Sequence, residues 1–325
     1  MNFLKKNQRQ TTASPPFHGW YFTGICSVMM GLASALYGRG FSVYFLSLAR
    51  DLKLSHTSTS LIFGLASLES GIQGPISGFC IDRWGPKIMM IIGVVLVGVG
   101  FLLLPLSNSY TVFLLIFIGL ISVGENTGFH NASGAIVTRW FVRKRGTAFG
   151  VVSMGIAAGS SLLTPVVAFI VLNYGWRLAA TISGVLVLAL GVPLTSMLRN
   201  SPEDVGQTPD GDIGVNKLRS TRSSTTDFKV REAVRTRAYW LLAIGIALRI
   251  SAINGVMVHI VPLMVWKGFG EGAGGVVIAT GSMAAIWTRF VMGWMGDRWS
   301  KRKIVCVSML VGMNSLILIW YLPGN

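Results

Sequence analysis

Apolar residues along this chain fall into nine long runs separated by short polar breaks: Trp20–Leu46, Thr57–Cys80, Lys87–Leu106, Thr111–Val137, Gly146–Leu172, Trp176–Leu198, Ala238–Val265, Gly272–Met295 and Ile304–Leu322. A helix needs roughly 20 residues to cross the hydrocarbon core, and each run is about that long. Lipid offers backbone N–H and C=O groups no partner, so a spanning segment must satisfy them within its own helix. The pattern predicts an all-α integral membrane protein of helical bundles. No small-residue cleavage site follows the first run, which therefore reads as a retained helix and not a signal peptide. After the sixth run the chain turns polar from Arg199 to Arg237, rich in Ser, Thr, Asp and Pro. The predicted organisation is a tail (1–18), a six-helix bundle (19–198), a linker (199–237) and three further helices (238–325).

Composition agrees. Only 12% of the 325 residues are charged and 52% are hydrophobic, with a mean hydropathy of +0.60. A soluble domain carries about a quarter charged residues. The net charge of +16 would suit nucleic acid, but its distribution does not. With the N-terminus on the inside, 21 of the 28 Lys and Arg residues fall on inside segments, 4 on outside loops and 3 within spans. That asymmetry orients the chain with a cytoplasmic N-terminus and fits contact with anionic lipid. Cys26, Cys80 and Cys306 have neither metal-ligand nor disulfide spacing. The glycine-rich GFGEGAGG at Gly268–Gly275 lacks the Lys-Ser/Thr of a phosphate loop. With no nucleophile–base pair or metal cluster either, no enzyme, cofactor or metal is expected.

A short motif is duplicated. Gly78, Asp82, Arg83 and Trp84 form Gly-x-x-x-Asp-Arg-Trp after the second run, and Gly293, Asp297, Arg298 and Trp299 repeat it after the eighth, 215 positions on. Small residues also recur at four-residue spacing, Gly124 with Gly128 and Gly155 with Gly159, which places each pair on one helix face where backbones pack closely.

Several segments carry a resemblance: HGW at His18, RWFVRKRGTAFGVVSMGIAAGS from Arg139, YGWR at Tyr174 and SPEDVGQTPDG at Ser201. Together with the six-plus-three layout they resemble the major facilitator superfamily, and within it the monocarboxylate porter group that includes oxalate/formate antiporters. The resemblance implies two six-helix halves around a central cavity, twelve helices in all. Nine are present, so the chain is expected to be a piece of a longer reading frame. It also implies that the Asp-Arg motifs form a cytoplasmic gate, the acid pairing with a basic group or a helix end across the halves. Gly78 and Gly293 would allow close helix approach there. One relative is disfavoured: drug/proton antiporters place a Pro after the second glycine of the helix 5 motif, where this chain has Ser160.

Away from the ends of the runs lie five charged residues: Arg39, Glu69, Glu125, Arg249 and Arg289. Each costs about 2.5–3.5 kcal/mol at the bilayer centre unless paired or hydrated. WTRFVMG around Arg289 resembles the helix 8 segment in which an arginine binds the substrate carboxylate, with Phe290 in place of a proline. A guanidinium suits that task because it stays charged and grips both carboxylate oxygens. RGFSVYF at Arg39 resembles the helix 1 segment that carries a substrate- and proton-binding lysine, and arginine keeps its proton where lysine can release it. Four residues before Arg289, proton-coupled animal members have an Asp and this chain has Ala285. Glu125 or Glu69 could carry a proton instead, or there is no proton and one anion exchanges for another; Arg249, Asn254 and His259 are further candidates for the cavity wall, coupling or ion pairing.

The expected function is secondary transport of small carboxylate anions by alternating access, as anion exchange or coupled to protons. Arg289 would be the principal anchor and Arg39 a second contact, in a monomer of the plasma or inner membrane. The alternatives are a transporter of the same fold for another solute and a truncated, non-transporting membrane protein.

Overall fold

A computed structural model describes residues 17–38, 43–44, 47–48, 51, 56–211, 232, 234–266 and 271–321. Nine long helices fill these segments: α1 Gly19–Gly38, α2 His56–Trp84, α3 Pro86–Leu106, α4 Tyr110–Trp140, α5 Arg145–Tyr174, α6 Trp176–Ser196, α7 Arg237–Trp266, α8 Glu271–Arg298 and α9 Lys301–Tyr321. Five of them, α1 and α3 to α6, are long and apolar enough to cross a membrane. The helices outrun several apolar runs. Asp82 and Arg83 therefore sit on the last turn of α2, and Asp297 and Arg298 on the last turn of α8. Charges end a hydrophobic run without ending a helix, since a final turn in the polar zone is still hydrogen-bonded along its own axis.

Two connections are reduced to a single residue. Gly85 between α2 and α3 has φ 84°, ψ 154°, and Gly175 between α5 and α6 has φ 85°, ψ 158°. That region is open essentially to glycine alone, which explains the G in WGPK and in YGWR. Elsewhere glycines serve contact. A Cβ at Gly159 would collide with the backbone of Gly31, and one at Gly155 with Ser27, so α1 lies directly on α5. The Ser27 hydroxyl donates across this seam to the Val151 carbonyl at 2.9 Å. Gly93 of α3 meets Gly124 and Gly128 of α4 in the same way.

The core of the first six helices is apolar and aromatic, with Met29, Met90, Phe101, Phe113, Phe117, Phe129 and Trp140 almost fully enclosed. Where α5 gives way to α6, away from the chain's N-terminus, Asp51 accepts from the Trp176 indole at 2.8 Å and from Arg177 at 2.5 Å. The indole and the guanidinium hold its carboxyl below the ordinary 3.8.

The other end of the bundle, rich in Lys and Arg, is where α1 begins and where α2–α3, α4–α5 and α8–α9 turn. The start of the linker is folded there and is not a featureless tether. Pro202–Val205 and Pro209–Gly211 form two short 3-10 turns, the first closed by a capping box between Ser201 and Asp204.

Candidate functional site

α8 packs along α5, joining the second group of helices to the first. At the basic end Gly293 faces Gly146 and Gly150, and no Cβ would fit between them. This brings Asp297 over the first turn of α5. Its Oδ1 accepts from the Gly146 N–H at 2.6 Å; its Oδ2 accepts from the Thr147 N–H and the Thr147 hydroxyl, both at 2.7 Å. Gly146 and Thr147 are the second and third residues of α5, whose N–H groups a capping side chain normally takes. Lys144 stands at the N-cap and makes no such bond. Asp297 thus caps α5 from another helix, with the positive end of the helix dipole reinforcing the bond. Its neighbour Arg298 lies over the Trp294 ring, 4.0 Å from the centroid.

The first copy of the motif is placed differently. The side chain of Asp82 is 85% exposed, and its nearest cation, Arg139, is 3.9 Å away. Arg83 is exposed too, and a Cβ at Gly78 would meet nothing within 4 Å among the described residues. Among the described residues the sequence duplication therefore does not carry over into matching contacts.

Arg289 lies two turns up α8 from Asp297, about 12 Å along the axis. It is partly buried in the α5–α8 seam, and its guanidinium donates to the Ser153 carbonyl of α5 at 3.0 Å. Arg249 on α7 is exposed. Arg39 and the side chains of Asn254 and His259 lie outside the described residues.

The acidic candidates come together elsewhere, inside the first bundle. Glu69 and Ser122 are joined at 2.5 Å, the serine hydroxyl donating to Oε2, and the Tyr37 hydroxyl donates to Ser122 at 3.0 Å. Ser70 donates to Asn126 at 3.1 Å, Gln73 donates to the Val123 carbonyl at 2.7 Å and also bonds Thr127, and Asn131 donates to Ser77 at 2.7 Å. α2 and α4 are thus zipped along a polar row. Two atoms of it, Oε1 of Glu69 and Oε1 of Gln73, are buried without a hydrogen-bond partner among the described residues. Glu125 lines a void of about 10 Å³ with Leu32, Leu36, Tyr37, Val97, Phe101 and Val187, side chains of α1, α3 and α6. This space lies within the six-helix bundle, apart from the α5–α8 seam. Wide π-helical turns at Ser34–Gly38, Phe117–Ser122 and Glu125–Asn131 carry Tyr37, Ser122 and Glu125, and such turns are frequent at functional sites.

Sequence reasoning missed Thr147, Ser122, Tyr37 and Asp210. The capping pattern S-x-x-D of Ser201–Asp204 would have shown that the linker begins with an ordered turn. Nothing in the sequence marks π-helical turns.

The sequence profile of the Major Facilitator Superfamily matches residues 22–325. The chain is similar to monocarboxylate transporter 11 of Homo sapiens, 27% identical over 295 residues, covering 88% of this chain and 58% of that protein. It is similar to monocarboxylate transporter 12-B of Danio rerio, 24% identical over 320 residues, covering 92% of this chain and 66% of that protein. A probable hexose phosphate transport protein of Chlamydia pneumoniae is 25% identical over 208 residues, 63% of this chain and 45% of that protein. The chain thus spans roughly three-fifths to two-thirds of the monocarboxylate transporters it matches.

Proposed function

The chain belongs to the major facilitator superfamily, and on that premise we propose that it serves secondary transport of small carboxylate anions by alternating access. Arg289 is the observation that carries this reading. A permanently charged guanidinium sits on a largely apolar helix at the seam between the two groups of helices, where a substrate anion can exchange for the Ser153 carbonyl as its partner. Its parallel donors fit a carboxylate. The monocarboxylate names of two relatives support the substrate class.

Asp297 on the α5 N-terminus is the closed state of a gate at the basic end, which we place in the cytoplasm from the Lys/Arg asymmetry. Opening that end leaves two first-turn N–H groups to water, a loss that hydration offsets, so the gate is reversible. Arg39 would be a second substrate contact. The hydrogen-bonded row of Glu69, Ser122 and Tyr37, with Glu125 beside it, supports a role for this cluster in proton coupling.

A second reading has a specific observation behind it. One relative is named for hexose phosphate, and a guanidinium grips phosphate as well as carboxylate. Competition against labelled monocarboxylate uptake in vesicles separates the two: short carboxylates compete and hexose phosphates do not. Competition only by phosphorylated sugars would reverse the assignment.

A further inference from the structure

The folded start of the linker contacts the same helix entrance that Asp297 caps. Asp210 Oδ2 accepts from the N–H groups of Val142 and Arg143 at 3.1 and 2.7 Å, and Oδ1 accepts from the Lys144 N–H at 3.3 Å. Three consecutive N–H groups converging on one carboxylate make a backbone nest. The next donors along the chain that leave the helix are those of Gly146 and Thr147, and they go to Asp297. One short loop thus hands its amides to two carboxylates in succession, one from the linker and one from α8. Arg145, between them, turns its guanidinium back to the Phe141 and Thr138 carbonyls at 2.6 and 2.8 Å, closing the end of α4.

The start of the linker, residues 199–211, is fastened at several points. Gln207 bonds both the backbone N–H of His18 at 3.2 Å and its ring Nδ1 at 2.9 Å. Asn200 accepts from the Lys87 N–H at 2.9 Å beside Gly85. The Trp140 indole donates to the Arg199 carbonyl at 3.3 Å. Phe17 packs between Gly211 and the rings of Trp140 and Phe141. This clasp ties the starts of α1 and α3 to the end of α4. Its partners among the described residues lie in or beside the first six helices, so it moves with them.

We propose that residues 199–211 are a positioning element for the gate: Asp210 fixes the Val142–Lys144 backbone so that the first turn of α5 presents its N–H pair to Asp297. The inference rests on the reading of Asp297 as a gate. Asp210 touches neither substrate nor Asp297; it acts through the loop. The alternative, that the clasp only braces the bundle, leaves the gate equilibrium untouched.

The test is a double-mutant cycle on gate opening in the full chain. Ser153→Cys reports from within the α5–α8 seam, labelled by an impermeant maleimide from the face bearing Asp297 and corrected with the same chain lacking that substitution. Asp297→Asn is expected to raise the labelling rate about tenfold, the equivalent of a lost charge-assisted bond. Asp210→Asn should raise it several-fold alone and add nothing in the Asp297→Asn background, because both act on one contact. Should Asp210→Asn not fold, Gln207→Ala, which loosens the clasp from His18, is expected to give the same pattern. If Asp297→Asn raises labelling but the clasp variants leave it unchanged, or if their effects add, the positioning role is refuted and the gate stands. If Asp297→Asn itself changes nothing, the gate reading fails, and the positioning role with it.

Discussion

Asp297 and Thr147 are 150 residues apart in sequence, yet one carboxylate oxygen of the first accepts both the N–H and the hydroxyl of the second. The side chain that a helix usually supplies to its own N-terminus comes here from a different helix. The stability of the α5 start and the packing of α8 on α5 are therefore one quantity. Thr147→Val keeps the backbone bond and removes one acceptor contact. It is expected to raise maleimide labelling of Ser153→Cys by less than Asp297→Asn does, and labelling equal to that of Asp297→Asn would contradict this partition.

Close glycine contact between α1 and α5 leads to a stability prediction. Gly159→Leu places a side chain where the Gly31 backbone already stands, and overpacking of this kind costs about 1–3 kcal/mol. The Tm of the purified protein in detergent should fall by several degrees, whereas Gly245→Leu, which meets nothing within 4 Å, should leave it almost unchanged.

Acid should weaken the end of the bundle opposite Asp297. The Trp176 indole and the Arg177 guanidinium depress the Asp51 carboxyl below its ordinary 3.8. A depressed carboxyl stabilises the fold above its unfolded value and loses that contribution as pH falls through the folded one. The contribution is thus complete at neutral pH and disappears only below about pH 4. Asp51→Asn should lower Tm more at pH 7 than at pH 3; an equal loss at both would refute the assignment.

Glu125 offers a test of coupling. If protons drive transport through the buried acidic cluster, Glu125→Gln should flatten the pH dependence of uptake while leaving exchange of labelled for unlabelled substrate measurable. A pH profile like that of the parent would remove the cluster from the coupling path.

The all-helical architecture and the polar break at Arg199 were legible because lipid permits few solutions for a spanning segment. So was the close packing at Gly155 and Gly159, since four-residue spacing dictates a common face. The gate motif was legible only as a motif. Asp82 and Asp297 stand in two copies of one motif, and among the described residues only the second meets a helix end, because what a carboxylate contacts depends on which helix lies opposite. Tyr37, Ser122 and Glu69 come from three helices and are gathered by two π-helical turns, which have no sequence signature at this length. SPEDVGQTPDG was the least expected: a segment that carried only family resemblance proves to hold two turns and the Asp210 nest.

The central claim is that Arg289 anchors a carboxylate. Its most direct test is counterflow of labelled lactate in vesicles containing the full chain, comparing the parent with Arg289→Gln and Arg289→Lys at matched levels of inserted protein. The account predicts saturable counterflow in the parent that short carboxylates inhibit and lactamide does not. It predicts loss of that counterflow in Arg289→Gln and partial activity in Arg289→Lys, which keeps the charge and loses the paired donors. Undiminished counterflow in Arg289→Gln would contradict it.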